Sequence, residues 1–250
     1  MDQGARRKTM SVSPAKTIRE VVLEIPAATR VFEELGIDYC CGGGKSLEQA
    51  CQAANLPIDQ VLDSLESADK VSRSAPQDRN WQTESLAGLI AHIQSTHHKY
   101  TRSEIARLGP LLDKVCSAHA KNHAELLHIR ETFAGLAQEL AAHMTKEEMV
   151  LFPYVTRMEE SIIKKEPVPP APFGTVRNPV AMMMREHDSA GNALRDMRQA
   201  AGNYAVPPDA CLSYQTLYKV LAELEADLHQ HIHLENNILF PRAVEMEQGQ

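Results

Sequence analysis

His143-Met144-Thr145-Lys146-Glu147-Glu148-Met149-Val150-Leu151-Phe152-Pro153 returns near the end of the chain as His231-Ile232-His233-Leu234-Glu235-Asn236-Asn237-Ile238-Leu239-Phe240-Pro241. Both copies read His-x-x-x-Glu-x-x-x-Leu-Phe-Pro. On an α-helix, residues four apart stand one turn apart on the same face, so each copy presents an imidazole and a carboxylate in one direction. A single pair of this kind is commonplace on a solvated helix. Repetition of the whole frame, with the same apolar positions and the same closing proline, points to a duplicated metal-ligand spacing.

Two further histidines extend the pattern. His98 precedes His143, and His187 precedes His231, by near-equal intervals of about 45 residues, which suits a helix that runs out some 30 Å, turns and comes back beside its start. The midpoints fall where such turns belong: beside Pro207-Pro208 in one half, and in the polar run Ser117 to Asn122, after Gly109-Pro110, in the other. Between the halves, residues 165–179 carry Pro167, Pro169, Pro170, Pro172 and Pro179, an expected extended crossover. Apolar residues recur at helical spacing at Leu86, Leu89, Ile90 and Ile93, and again from Leu126 through Ile129, Phe133, Leu136, Leu140 and Met144 to Leu151. The expected fold is all-α: a four-helix bundle over residues 83–246, with His98, His143, Glu147, His187, His231 and Glu235 at one level of its interior. Four imidazoles and two carboxylates exceed the needs of a closed tetrahedral zinc site and suit two metals that share bridging carboxylates. The mixed nitrogen and oxygen donors favour iron, then manganese, and disfavour copper without a thiolate. The plainer alternative is a set of core histidines satisfied by carboxylates.

Ahead of the bundle, residues 15–68 read as a small helical domain and residues 69–82, with Ser72, Ser74 and Pro76, as a linker ending near the only tryptophan, Trp81. Thr17 is placed to cap a first helix. A second is expected to stop at Gly36, a third to open at the Ser46/Gln49 capping box and run to about Asn55, and a fourth to run from Pro57 toward Ser67. The unusual stretch here is Asp38-Tyr39-Cys40-Cys41-Gly42-Gly43-Gly44-Lys45.

In these residues the chain resembles the Repair of Iron Centres (RIC) family. Residues 83–246 look like its hemerythrin-like domain, and Tyr39-Cys40-Cys41-Gly42-Gly43 looks like the small N-terminal domain that accompanies it. The resemblance implies a non-haem di-iron centre with oxo and carboxylate bridges, and a role in restoring iron–sulfur clusters damaged by nitric oxide or oxidants. Damaged iron–sulfur proteins are then the expected partners. The family pattern also carries a histidine at the place of His119. Helix arithmetic puts His119 about 30 Å from His98, in a loop, unless a kink at Gly109-Pro110 returns it to the site. Glu139, one turn before His143, and Glu186, beside His187, are candidates to hold an imidazole in one tautomer. The other histidines, His92, His97, His123, His128, His229 and His233, read as surface or rim residues.

Adjacent cysteines sit too close for a relaxed disulfide, so Cys40 and Cys41 are expected as free thiols. Three glycines able to adopt positive φ, with Lys45 nearby, would favour thiolates that move electrons or iron. The alternative is a pair of small packing residues beside a tight turn, the reading given to Cys51, Cys116 and Cys211. Three functions fit such a chain: iron donation to damaged clusters, nitric oxide reduction at two irons, and reversible binding of nitric oxide or oxygen. The second would need an outside electron donor, since no redox-cofactor motif is seen. A net charge of -7 speaks against nucleic acid as partner, and no apolar run is long enough for a signal peptide or a membrane span. Five cysteines without a disulfide framework fit a reducing cytoplasmic compartment, and a homodimer is compatible with the pattern.

Overall fold

The computed structural model describes residues 12–72 and 79–249, and the chain divides into two compact units between Asn80 and Trp81. Both are helical. Among the described residues the one sheet-like pairing is an isolated antiparallel bridge between Thr17 and Ser46.

The small unit holds α1 (Ile18–Glu24), α2 (Ala28–Leu35), α3 (Leu47–Ala53) and α4 (Ile58–Ser72). Thr17 with Glu20, and Ser46 with Gln49, form reciprocal capping boxes that satisfy the first free N–H groups of α1 and α3. α2 ends at Gly36, whose φ of 68° is the left-handed conformation that glycine adopts without a steric cost. Ile18, Phe32, Leu47, Val61 and Leu65 are fully enclosed and make the core. α4 continues one turn beyond Ser67. Ser67 bonds back to the Asp63 carbonyl and a Glu66–Lys70 pair at 2.7 Å supports the extra turn.

The large unit is four long rods, three of them interrupted by one wide turn of π-helix. The first runs from α5 (Leu86–Ile93) through a π turn at Gln94–His98 into α6 (Lys99–His119). The second is α7 (Glu125–Lys146), a π turn at Glu147–Leu151, then α8 (Phe152–Lys164). The third, α9 (Arg177–Ala200), is uninterrupted. The fourth is α10 (Leu212–His233), a π turn at Leu234–Leu239, then α11 (Phe240–Gln248). Pro153 and Pro241 stand in the first turn after two of these π turns. Proline has no N–H to give and crowds the carbonyl one turn back, a conflict that the widened turn relieves. This is the physical sense of the proline that closes the repeated frame.

The residues flagged by periodicity form the core. Leu126, Ile129, Phe133, Leu136, Leu140 and Met144 of α7 meet Leu194 and Met197 of α9 and Tyr214, Leu217, Leu221, Leu224 and Leu228 of α10, all buried in one cluster. Cutting Phe133 back to alanine would cost about 3–5 kcal/mol at such a site. α6 passes through Gly109-Pro110 and ends at His119, within the polar run expected to turn. One place departs from the sequence expectation: α9 begins at Arg177, taking Pro179 into its first turn, where a missing N–H is harmless. Carboxylates tie the rod ends together: Glu159 accepts from the backbone N–H groups of Leu86 (2.7 Å) and Ala87 (2.8 Å), and Glu247 from that of Val176 (2.8 Å). Among the described residues, no helix is long and apolar enough to cross a membrane.

Candidate metal centre

His98, His143, Glu147, His187, His231 and Glu235 converge on one closed space at the level of the π turns, each almost completely buried. Glu147 directs Oε2 toward His98 Nε2 and Oε1 toward His143 Nε2, both at 3.4 Å. Glu235 directs Oε1 toward His231 Nε2 at 3.2 Å and Oε2 toward His187 Nε2 at 3.1 Å. Two overlapping donor sets result, His98/Glu147/His231/Glu235 and His143/Glu147/His187/Glu235, with the ligand atoms of each set within 4.8 Å of one another. Each set offers two nitrogens and two oxygens, and both glutamates belong to both.

This cluster makes little sense as a filled protein interior. Both oxygens of Glu147, one of Glu235, and Nε2 of His98 are buried without a hydrogen-bond partner. His143 donates through Nδ1 to Glu186 (2.8 Å), and His187 through Nδ1 to the Asn236 side-chain oxygen (2.8 Å). In their neutral forms both rings would then keep a bare lone pair on Nε2, yet the two Nε2 atoms face each other at 3.0 Å. Facing lone pairs and orphaned carboxylate oxygens repel unless a cation lies among them, so the donor set fits a metal. Phe152 stacks on His98 (5.7 Å between centroids) and Phe240 on His187 (5.9 Å), closing the site with the Phe of each repeated frame.

Charge follows the same arrangement. Burial works against a charge on His143, but Glu147, Glu235 and Glu186 outweigh it and push this imidazole up to about 9. Burial likewise opposes the charge on His98, and Glu147 with Glu235 reverses the balance upward, whereas at His231 burial prevails and the shift is downward. Burial would raise the two central carboxyls, and the charge of Glu235 would add to this at Glu147. The surrounding imidazoles hold both below their ordinary value, led by His143 for Glu147 and by His231 for Glu235.

Around this set, Glu148 takes His98 Nδ1 at 2.6 Å and is itself held by both Nη atoms of Arg102 at 2.9 Å. Glu186 holds His143, the histidine of a neighbouring rod, and also accepts from Lys146. Glu139 holds no imidazole; its partner is Ser189 Oγ at 3.1 Å, at the surface. The sequence reading overlooks Glu148 and Asn236. A signal for them exists, because they occupy the same place, directly after the glutamate, in the two copies of the frame, and each grips a histidine of an adjacent rod.

His97 and His233 correct the expectation of surface histidines: both are buried. His97 bonds Asp227 at 3.0 Å, and burial alone depresses His233 to about 4 beside Asn237. His97 lies within a π turn beside the ligand candidate His98, and His233 ends α10 two residues from both His231 and Glu235. His119 lies at the far end of α6, about 30 Å from His98 along the helix. Its Nε2 meets Cys211 Sγ at 3.2 Å, and Cys211 is exposed instead of packed away.

In the small unit, Asp38 Oδ1 accepts from the backbone N–H groups of Cys41 (2.9 Å) and Gly42 (3.0 Å) and lies 3.4 Å from Cys40 Sγ. Asp38, Cys40 and Cys41 bring their ligand atoms within 4.8 Å. Neither cysteine is in a disulfide; the two sulfurs lie 3.8 Å apart, with Cys40 buried and Cys41 half-buried. The expected thiolate is not favoured at Cys40: its contact with Cys41, its burial and the Asp38 carboxylate all push the thiol up. Nor do these glycines adopt positive φ. Gly42 is required for another reason, since a Cβ there would lie 2.5 Å from the Asp38 carbonyl oxygen.

Residues 89–243 match the Hemerythrin HHE cation binding domain, and residues 14–69 match ScdA_N, a domain of unknown function. A probable iron-sulfur cluster repair protein of Haemophilus influenzae is 32% identical over 227 residues, 91% of this chain and 96% of that protein. The iron-sulfur cluster repair proteins YtfE of Enterobacter sp. (strain 638) and of Citrobacter koseri are 34% and 32% identical over 225 residues, 90% of this chain and 94% of each relative. Similarity of this extent spans both units, and the chain belongs to the Repair of Iron Centres family of hemerythrin-like metal-binding proteins.

Proposed function

We propose that this chain carries two iron ions, bridged by Glu147, Glu235 and an oxo group, and gives up iron to rebuild damaged iron–sulfur clusters. The observation that carries the reading is the sharing of both glutamates between two histidine pairs, His98 with His231 and His143 with His187. The names of the relatives support the biological role. Bound iron would supply an exchangeable metal, held less tightly by hard carboxylate oxygens in the ferrous than in the ferric state. The chain's own part is orientation and exclusion of water. Glu148, Glu186 and Asn236 fix three imidazoles with Nε2 toward the centre, and Phe152 and Phe240 close it off. Cys40 and Cys41 serve as the thiols that pass iron or electrons onward, a role supported by their closeness to Asp38.

The test is to load the full chain with isotopically labelled iron and mix it, under reducing and anaerobic conditions, with a cluster enzyme inactivated by nitric oxide. Recovery of client activity together with label in the client is the expected result. Nitrous oxide production without label transfer would instead identify a nitric oxide reductase. The Cys40→Ser, Cys41→Ser double variant should load iron normally and fail in transfer; equal recovery would reduce the pair to packing residues.

A further inference from the structure

The two halves of the centre are related by the repeated frame, and the relation is broken at one place. Glu186, directly before His187, grips Nδ1 of His143 and is in turn tied to Lys146. The counterpart directly before His98 is His97, which lies flat against His231 with 8° between rings and 5.6 Å between centroids, while His231 Nδ1 is buried without a hydrogen-bond partner. A carboxylate that would anchor the imidazole has been replaced by an aromatic ring. That ring begins a series. His92 meets His97 edge-on at 5.6 Å, and Trp81, the only tryptophan, stacks on His92 at 4.6 Å and 26°. His231 and His97 are buried, whereas His92 and Trp81 are half-buried, so the series leads from the centre toward the surface. Each member is also held in place: His97 by Asp227 (3.0 Å), His92 by Thr96 (3.3 Å), and the Trp81 backbone carbonyl by Arg242 (2.7 Å).

We propose that Trp81, His92 and His97 are the route by which an external one-electron donor reduces the metal centre through the ring of His231. The inference rests on the reading of that centre as iron that is reduced before release. The rings stand at the centroid spacing of packed aromatic pairs, about 4.5–7 Å, an unbroken run of π contacts, whereas Glu186 and Lys146 on the other side offer only saturated side chains. In each transfer the donor loses one electron, one ferric ion becomes ferrous, no bond is made or broken, and the rings return to their starting state. The entry surface is the half-buried Trp81–His92 pair, suited to a planar donor such as a reduced flavin.

The test uses the full chain loaded with ferric iron and mixed in a stopped-flow cell with photoreduced flavin mononucleotide, following loss of ferric absorbance. Trp81→Leu and His92→Leu should keep the parent's iron content and midpoint potential but be reduced more slowly by an order of magnitude. Trp81→Phe, which restores a ring, should recover most of the rate. Parent-like rates in both leucine variants would overturn the route, as would slowing accompanied by lost iron or a shifted potential, which would make the rings a support for His231. Iron that is reduced along this path but never reaches a damaged cluster would sink the repair reading and leave the route standing. A parent protein with no reducible ferric iron would sink both.

Discussion

Replacement of Glu148 isolates what the surroundings of the centre contribute, because this carboxylate touches His98 but not the central space. It accepts from His98 Nδ1 at 2.6 Å, and its release would leave both that buried nitrogen and Arg102, a half-exposed side chain, without this partner. Arg102 stays in solvent, but His98 Nδ1 becomes a buried donor without an acceptor, so the metal-free form should lose about 1–3 kcal/mol of stability. Metal affinity should suffer in two ways: the imidazole loses the negative charge that strengthens Nε2 as a donor, and its proton is free to move to Nε2. Removing such an outer partner costs about 10–100-fold in metal affinity, which is about 1.4–2.7 kcal/mol. Glu148→Ala should fall near the upper end. Glu148→Gln, which keeps an acceptor but no charge, should fall near the lower. The assay is anaerobic competition between the loaded protein and a coloured ferrous chelator, with thermal melting of the metal-free forms as a check on folding. Glu139→Ala is the control, since its carboxylate bonds only Ser189. Unchanged affinity in Glu148→Ala, or an equal loss in Glu139→Ala, would refute the argument that Glu148 orients His98.

Glu147→Ala and Glu235→Ala should each lose both irons, because each glutamate belongs to both donor sets, while His119→Ala should retain two; metal analysis after gel filtration decides this. A chain lacking residues 1–75 should fold and hold iron, since the core of the large unit draws on no residue of the small one, and an apo or insoluble product would contradict that. Gly42→Ala should destabilise the small unit by about 1–3 kcal/mol through the clash with Asp38, whereas Gly44→Ala, with nothing within 4 Å of the added carbon, should not; denaturant melts compare them. His123 is held above its ordinary value, chiefly by Asp209 and also by Glu125. Its stabilising effect is therefore complete below the unfolded value of about 6.5 and fades as pH rises through the higher folded value. His123→Gln should lower the melting temperature in mildly acidic buffer and matter little in alkaline buffer.

The positions of the six central residues were readable because two local rules coincide: four-residue spacing fixes a face, and the intervals from His98 and His187 fix a level. What surrounds them was not readable by the same rules. Glu148 and Asn236 follow a ligand candidate directly, and on a regular helix the next residue points well away from it. The wide π turns bring both into reach of a neighbouring rod, and nothing in residue type announces such a turn except the proline after it. His97 and His233 were misjudged because polarity was taken as a sign of exposure. Gly109-Pro110 was the one place where a kink could have returned His119 to the centre. Packing of Leu108 and Leu112 on either side, both buried, holds α6 together across a break that local preference would allow. In the small unit, three adjacent glycines suggested freedom of φ, while the requirement at Gly42 is room for a carbonyl.

A π turn amounts to one amino acid inserted into an α-helix, which advances everything beyond it by about 100° around the axis. Deleting a single residue between Glu148 and Val150, or among Asn236, Asn237 and Ile238, would restore a continuous α-helix and rotate the segment that follows. Phe152 or Phe240 would then leave the ring it covers, and α8 or α11 would present a different side to the rest of the bundle. The phase shift is common to both copies of the frame, and the gap between glutamate and Leu-Phe-Pro is kept at equal length in each. Loop lengths in this protein are therefore open to change, as the unequal turns at 120–124 and 201–211 already show, but the register inside the two frames is not.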